Sequence, residues 1–205
     1  NDVCSSGSCS GISNCPSGQV CNVQSGVCDA PSIAFSKSLL QGETISKPTS
    51  LQFGPDGKLY VVQQDGIIHV YTIARQGPDS YVASSTQITN LIYDIPNRND
   101  DGSVSPATTG RLVTGMVVAG TAQNPVIYVA SGDPRIGGGS NGNDKNLDTN
   151  SGIIARLTWN GSSWQKLDLV RGLPRSEENH QGNGMYLDAA ANKLYIAYGG
   201  HTNMG

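Results

Sequence analysis

Charge is scarce in this chain. Lys, Arg, Asp and Glu together make up 14% of its 205 residues, 13 basic against 16 acidic, for a formal net charge of -3 and a pI near 5.5. No cluster of Lys and Arg exists to neutralise phosphates, which excludes nucleic acid as a partner and disfavours anionic lipid surfaces. No run of about 18 apolar residues is present, so no helix is expected to span a membrane, and no signal-peptide pattern stands at the start. Asn1 in place of Met leads to the expectation of a processed or excised N-terminus. Cysteine is absent after Cys28, and the five that precede it include no Cys-x2-Cys pair and have no histidine nearby, which argues against zinc.

What the chain does have is 26 Gly and 10 Pro, with long tracts of Ser, Thr and Asn. That composition favours turns and strands and predicts an all-β fold. The length suffices for one ordinary domain plus a small appendage. Cys4, Cys9, Cys15, Cys21 and Cys28 all lie in a segment of small and polar residues that cannot build its own core and needs covalent staples. The spacing Cys9-x5-Cys15-x5-Cys21-x6-Cys28 resembles small secreted Cys-rich repeats of the EGF-like and related kinds. Four cysteines allow three pairings, and Cys4 is left over for a partner upstream or in another chain. The expected organisation is therefore a disulfide-rich module over 1–30 and a β domain over 31–205, in a secreted or extracellular protein. Asn160-Gly161-Ser162 adds an N-glycosylation sequon, in a hairpin turn between Trp159 and Trp164.

From Ala34 the texture becomes one of short strands. Residues Thr49 to Ile73 alternate apolar and polar around Asp56-Gly57 and Asp65-Gly66, which predicts a three-strand meander. A looser copy runs over Thr114 to Asp133 and Ser151 to Trp159, and a third begins near Met185. The strand centres LYVV, IYVA and LYIA set Tyr60, Tyr128 and Tyr195 at spacings of 68 and 67 residues. Regular self-similarity of this kind marks a repeat architecture, here a β-propeller with loop insertions. The chain holds about two to three repeats, so the remainder of the propeller or another chain is expected to cover the open edge.

The run Gly172 to Gly200 carries the chemistry. Its Leu-Pro, His180-Gln181, short Gly-containing link and strand pair ending in Gly-Gly resemble the blade with the catalytic histidine in soluble quinoprotein glucose dehydrogenases and the related glucose/sorbosone dehydrogenase family. Residues Lys47 to Ile73 are similar to that family's first blade, and the resemblance extends at blade-level periodicity over Ser46 to Gly205. The resemblance implies the N-terminal part of a six-bladed propeller that uses pyrroloquinoline quinone and calcium. It also implies His180 as general base in oxidation of an aldose, a role suited to an imidazole whose ordinary pKa is about 6.5. Gln181 and His201 are expected on the substrate side, with Glu177 and Glu178 near the base and Arg111 on a quinone carboxylate or else at the surface. The family's glutamine in the loop before the second blade has no counterpart in Thr108 to Gly115, and its later cationic residues would fall beyond Gly205.

Other candidates are weaker. Gly137 to Gly142 satisfies G-x-G-x-x-G, yet turn formers follow it where a helix is required, so dinucleotide binding is not expected. Asp144 and Asp148 nearby, and the Asn97 to Asp101 loop, offer oxygen ligands for calcium without an EF-hand's spacing. His69 reads as a packing or surface residue. Two further functions compete with the enzyme: a non-catalytic carbohydrate-binding propeller, and a structural module of a larger extracellular assembly.

Overall fold

A computed structural model of the chain describes residues 4–5, 8–9, 19–22, 27–30, 35–136, 150–175 and 180–199. Every regular element among them is a strand. The chain divides into two compact units, Asn1–Ser38 and Leu39–Gly205.

The first unit holds two small antiparallel hairpins. In one, β1 (Cys4–Ser5) pairs with β2 (Ser8–Cys9), and the register sets Cys4 across from Cys9. In the other, β3 (Val20–Asn22) pairs with β4 (Val27–Asp29), and Cys21 stands across from Cys28. Cys28 is disulfide-bonded. The Asn22 carboxamide donates to the Asp29 carboxylate at 2.9 Å.

The second unit is built from three successive sheets. The first has five strands: β5 (Leu40–Gln41), β6 (Pro48–Phe53), β7 (Leu59–Gln63), β8 (Ile68–Gly77) and β9 (Ser80–Thr89). Its spatial order is β5-β9-β8-β7-β6, with β5 parallel to β9 and the other pairs antiparallel. The meander expected from the two Asp-Gly turns is present and is extended by β9 and β5. Gly57 and Gly66 take φ of 73° and 96°, and in each turn the preceding aspartate accepts from the N–H two residues on, Lys58 or Ile67, at 3.2 Å.

The second sheet runs β10 (Leu112–Gly120), β11 (Pro125–Gly132), β12 (Gly152–Trp159) and β13 (Trp164–Leu173) in chain order, all antiparallel. The third pairs β14 (Met185–Asp188) with β15 (Lys193–Ile196). Tyr60, Tyr128 and Tyr195 lie on β7, β11 and β15, each paired antiparallel with the strand just before it in the chain, so the sequence period is a structural one.

One strand from each sheet, β6, β10 and β14, lies beside the next, β10 packing against both β6 and β14. Two devices join them. The Gln52 carboxamide from β6 both donates to the Val118 carbonyl (3.0 Å) and accepts from its N–H (2.8 Å) on β10. On the other flank Thr114 Oγ1 donates to the Gly182 carbonyl at 2.9 Å, and a Cβ on Gly115 would collide with the Asn183 carbonyl.

Between the first two sheets lies the main core, including Tyr60, Val62, Ile68, Ile127, Val129 and Leu157. Leu59, Val61 and Tyr71 face the opposite side of the first sheet in a smaller cluster. On the third sheet, the rings of Tyr186 and Tyr195 lie 6.4 Å apart, tilted by 31°, and the residues are 67% and 54% exposed.

The β10–β14 approach is tight only at Gly115, whereas Gly184 has its nearest neighbour at 3.9 Å. Gly115→Ala is expected to cost about 1–3 kcal/mol through overpacking, and Gly184→Ala to be far milder. Thermal melts of the two variants check this, and equal melting temperatures would contradict the side-by-side packing.

Candidate functional site

Loops from the first two sheets and the link to the third converge at one end of the second sheet, where β10 and β12 begin and β11 and β13 end. The polar side chains buried there are Asn97, Arg111, Asp133, Ser151, Arg175 and Gln181.

Asp133, with 0% exposure, anchors the group. Arg135, itself half-buried, donates to it through Nε (3.0 Å to Oδ1) and Nη2 (2.6 Å to Oδ2), a bidentate geometry that compensates the burial of the carboxylate. The same guanidinium donates to Asn99 Oδ1 at 2.8 Å and to the Arg98 carbonyl. Arg175 donates to the Arg135 carbonyl. Three segments far apart in sequence, the 97–111 loop, the end of β11 and the end of β13, are thereby tied together.

Arg111 is 2% exposed and so is not a surface residue. Its guanidinium donates to Asn97 Oδ1 at 2.7 Å and to the Ser151 carbonyl, while Asn97 Nδ2 donates to the Gly110 carbonyl at 2.8 Å. Arg111 thus binds the loop that precedes it to the start of β12. The Asn97 to Asp101 segment has the same structural use: Asp101 accepts from the Ser103 hydroxyl (2.6 Å) and N–H (2.9 Å), which hold its carboxyl below the ordinary range. No group of three His, Cys, Asp or Glu side chains suited to a metal occurs among the described residues.

His180 and Gln181 sit on the third sheet's approach to this cluster. His180 is half-buried and Gln181 buried. The backbone of His180 packs against Gly199, where an added Cβ would lie 2.9 Å from the His180 carbonyl carbon. Gln181 occupies the space left by the missing side chain of Gly132, and its Nε2 approaches the Asp133 carbonyl at 3.5 Å. Tyr198, which the sequence reading passed over as part of a strand end, fills the gap between Gly152 and Gly182. Burial raises its phenol pKa, opposed by the Gly182 N–H and by the Arg111 charge. Beside the cluster, a cleft of about 390 Å³ is lined by Lys47, Gln64, Asp65, Gly110, Arg111 and Pro134, among others. Gln64 brings to it the carboxamide that Thr108 to Gly115 does not contain.

Cys15, Asp144, Asp148, Glu177, Glu178, His201 and the Gly137 to Gly142 run lie outside the described residues. Asn160 is exposed in its expected turn, its Oδ1 accepting from the N–H of Ser162 (3.0 Å) and Ser163 (2.9 Å). His69 is half-buried on β8, stacked on Tyr71 at 5.6 Å, with Gln63 Nε2 at 2.8 Å from its Nε2. No sequence signal marks Asp133, Arg135 or Arg175 as a group, because their meeting depends on three loops folding to one sheet end.

Asp133→Ala is expected to destabilise the fold by about 3 kcal/mol, as removal of one partner of a buried pair does. Much of that loss should be recovered in Asp133→Ala/Arg135→Met, a double-mutant cycle read by urea denaturation. His69 supplies a pH dependence. Desolvation lowers its folded pKa below 6.5, against the opposing charges of Glu43 and Asp65, so the unfolded chain binds more protons as pH falls through about 6.5 and stability drops there. His69→Gln should flatten the stability profile between about pH 5 and 7, by less than one proton per chain in slope.

No protein family, no curated protein and no solved structure was found to match the chain. What it does is therefore argued from its own geometry.

Proposed function

We propose that the chain is the opening portion of a sugar-dehydrogenase-like β-propeller, in which His180 accepts a proton from a saccharide hydroxyl. The observation that carries this reading is the side-by-side packing of β6, β10 and β14 from three sheets repeating every 67 to 68 residues, with His180 entering at the end where their loops converge. In such an architecture the exposed Tyr186 and Tyr195 face would be covered by a further sheet, from the remainder of the propeller or from another chain. Asn160 in an open turn and the disulfide at Cys28 support a secreted, glycosylated protein.

A neutral imidazole takes the hydroxyl proton as hydride leaves the anomeric carbon, and pyrroloquinoline quinone with calcium supplies the hydride acceptor when bound. Arg111 does not fit the role of clamp for the quinone's carboxylates, because its guanidinium is buried and already donates to Asn97 and Ser151. Lys47, which lines the neighbouring cleft, is the cation we assign to that role instead. Arg111's internal commitment favours a second reading, a propeller that binds carbohydrate or serves as a structural module without catalysis.

Adding pyrroloquinoline quinone and calcium to the full chain tests the enzyme reading. It predicts a bound quinone absorbance and aldose-dependent dye reduction, with kcat lowered about 10²- to 10⁴-fold in His180→Ala and quinone binding retained. Failure of the full protein to bind the quinone would overturn catalysis and leave the carbohydrate-binding reading.

A further inference from the structure

The chain contains two tryptophans, and both line one groove on the far side of the second sheet's turn, between the β12–β13 hairpin and the segment that follows β9. The groove measures about 690 Å³ and includes Gln87, Asn90, Asp94, Trp159, Ser163 and Trp164 in its walls. From this arrangement we infer a saccharide-binding groove, distinct from the His180 end of the fold.

Trp164 is the fixed element. It is 7% exposed, meets Tyr60 edge to face at 6.3 Å, and donates through Nε1 to Gln87 Oε1 at 2.9 Å. Trp159 leans on it at 5.4 Å between ring centroids and is half-buried, so an indole of settled orientation remains at the groove wall. Across from the hairpin, the Asp94 N–H donates to the Asn90 carbonyl at 2.8 Å, a turn that sets the two side chains on one wall. Among the described residues, neither the Asp94 carboxylate nor the Asn90 carboxamide has a side-chain hydrogen-bond partner. Thr86 and Ser163 complete the rim, the Thr86 hydroxyl donating to the Val70 carbonyl at 2.9 Å and the Ser163 hydroxyl accepting from Gln165 Nε2 at 3.0 Å, each with a lone pair left to accept.

A rigid aromatic face beside a single carboxylate, a carboxamide and hydroxyls matches the two-sided chemistry of a pyranose. Its axial C–H face packs on an aromatic ring, and its vicinal hydroxyls pair with planar acceptors and donors. With only one charge in these walls, a strongly charged ligand is disfavoured. The saccharide has two sources. Asn160, which begins the hairpin turn that contributes Ser162 and Ser163 to the groove, can carry it as an N-glycan, or it can arrive free in solution.

Because both tryptophans line the groove, intrinsic fluorescence reads it directly. In protein made without N-glycosylation, mono- and oligosaccharides selected on a glycan array are expected to shift and saturate the tryptophan emission. Trp159→Ala should weaken binding about tenfold or more, and Asp94→Asn and Asn90→Ala should weaken it with the melting temperature unchanged. His180→Ala should leave it intact, which separates this site from the dehydrogenase reading. In protein secreted with Asn160 glycosylated, a groove that opens to free saccharide only after enzymatic deglycosylation identifies the chain's own glycan as the occupant. Equal binding before and after identifies a free ligand. The inference is overturned if no saccharide shifts the emission of the unglycosylated protein and removal of the Asn160 glycan leaves it unchanged.

Discussion

The buried pairing of Asp133 with Arg135 is the interaction on which the functional end of this fold depends. Asp133 is the only fully buried carboxylate among the described residues, and its ionised form is tolerable only because a guanidinium reaches it in bidentate fashion. That guanidinium simultaneously holds the 97–111 loop through Asn99 and the Arg98 carbonyl. Arg175, arriving from the end of β13, closes on the Arg135 carbonyl. Loops that composition alone would describe as hydrophilic excursions are thus pinned by buried charge, and the platform on which His180 and Gln181 rest is a consequence.

Glycine does the complementary work. Gly115, Gly132, Gly152 and Gly182 each vacate a volume that another group fills: the Asn183 carbonyl, the Gln181 carboxamide, and Tyr198 twice over. These are close approaches between neighbouring sheets, where a methyl group has no room. They explain why a chain with so much glycine still forms three ordered sheets, and why Tyr198 lies against the His180 segment.

Cation chemistry divides between the interior and the cleft. Arg111 and Arg175 are interior, bonded to the Asn97 carboxamide and to the Ser151 and Arg135 carbonyls, whereas Lys47 stands at the cleft wall. The arginines' planar, multi-donor forks suit them to satisfy several buried acceptors at once. A protein that bound a polyanionic cofactor through this end would have to do so with the exposed lysine and with groups other than the buried arginines.

Much of the strand pattern was legible in the sequence. The Asp-Gly turns announce β6 to β8, the alternation of Trp159 and Trp164 about Asn160-Gly161 announces the β12–β13 hairpin, and the recurrence of Tyr60, Tyr128 and Tyr195 locates β7, β11 and β15. These are local signals, since turn dihedrals and the two-residue side-chain period depend only on neighbours along the chain. Tertiary structure alone decided that β10 lies between β6 and β14, that Arg111 is interior, that Asp133, Arg135 and Arg175 meet, and that both tryptophans share one groove with Asp94. Each of those outcomes joins residues tens of positions apart, through burial and hydrogen-bond satisfaction that exist only once the sheets have packed.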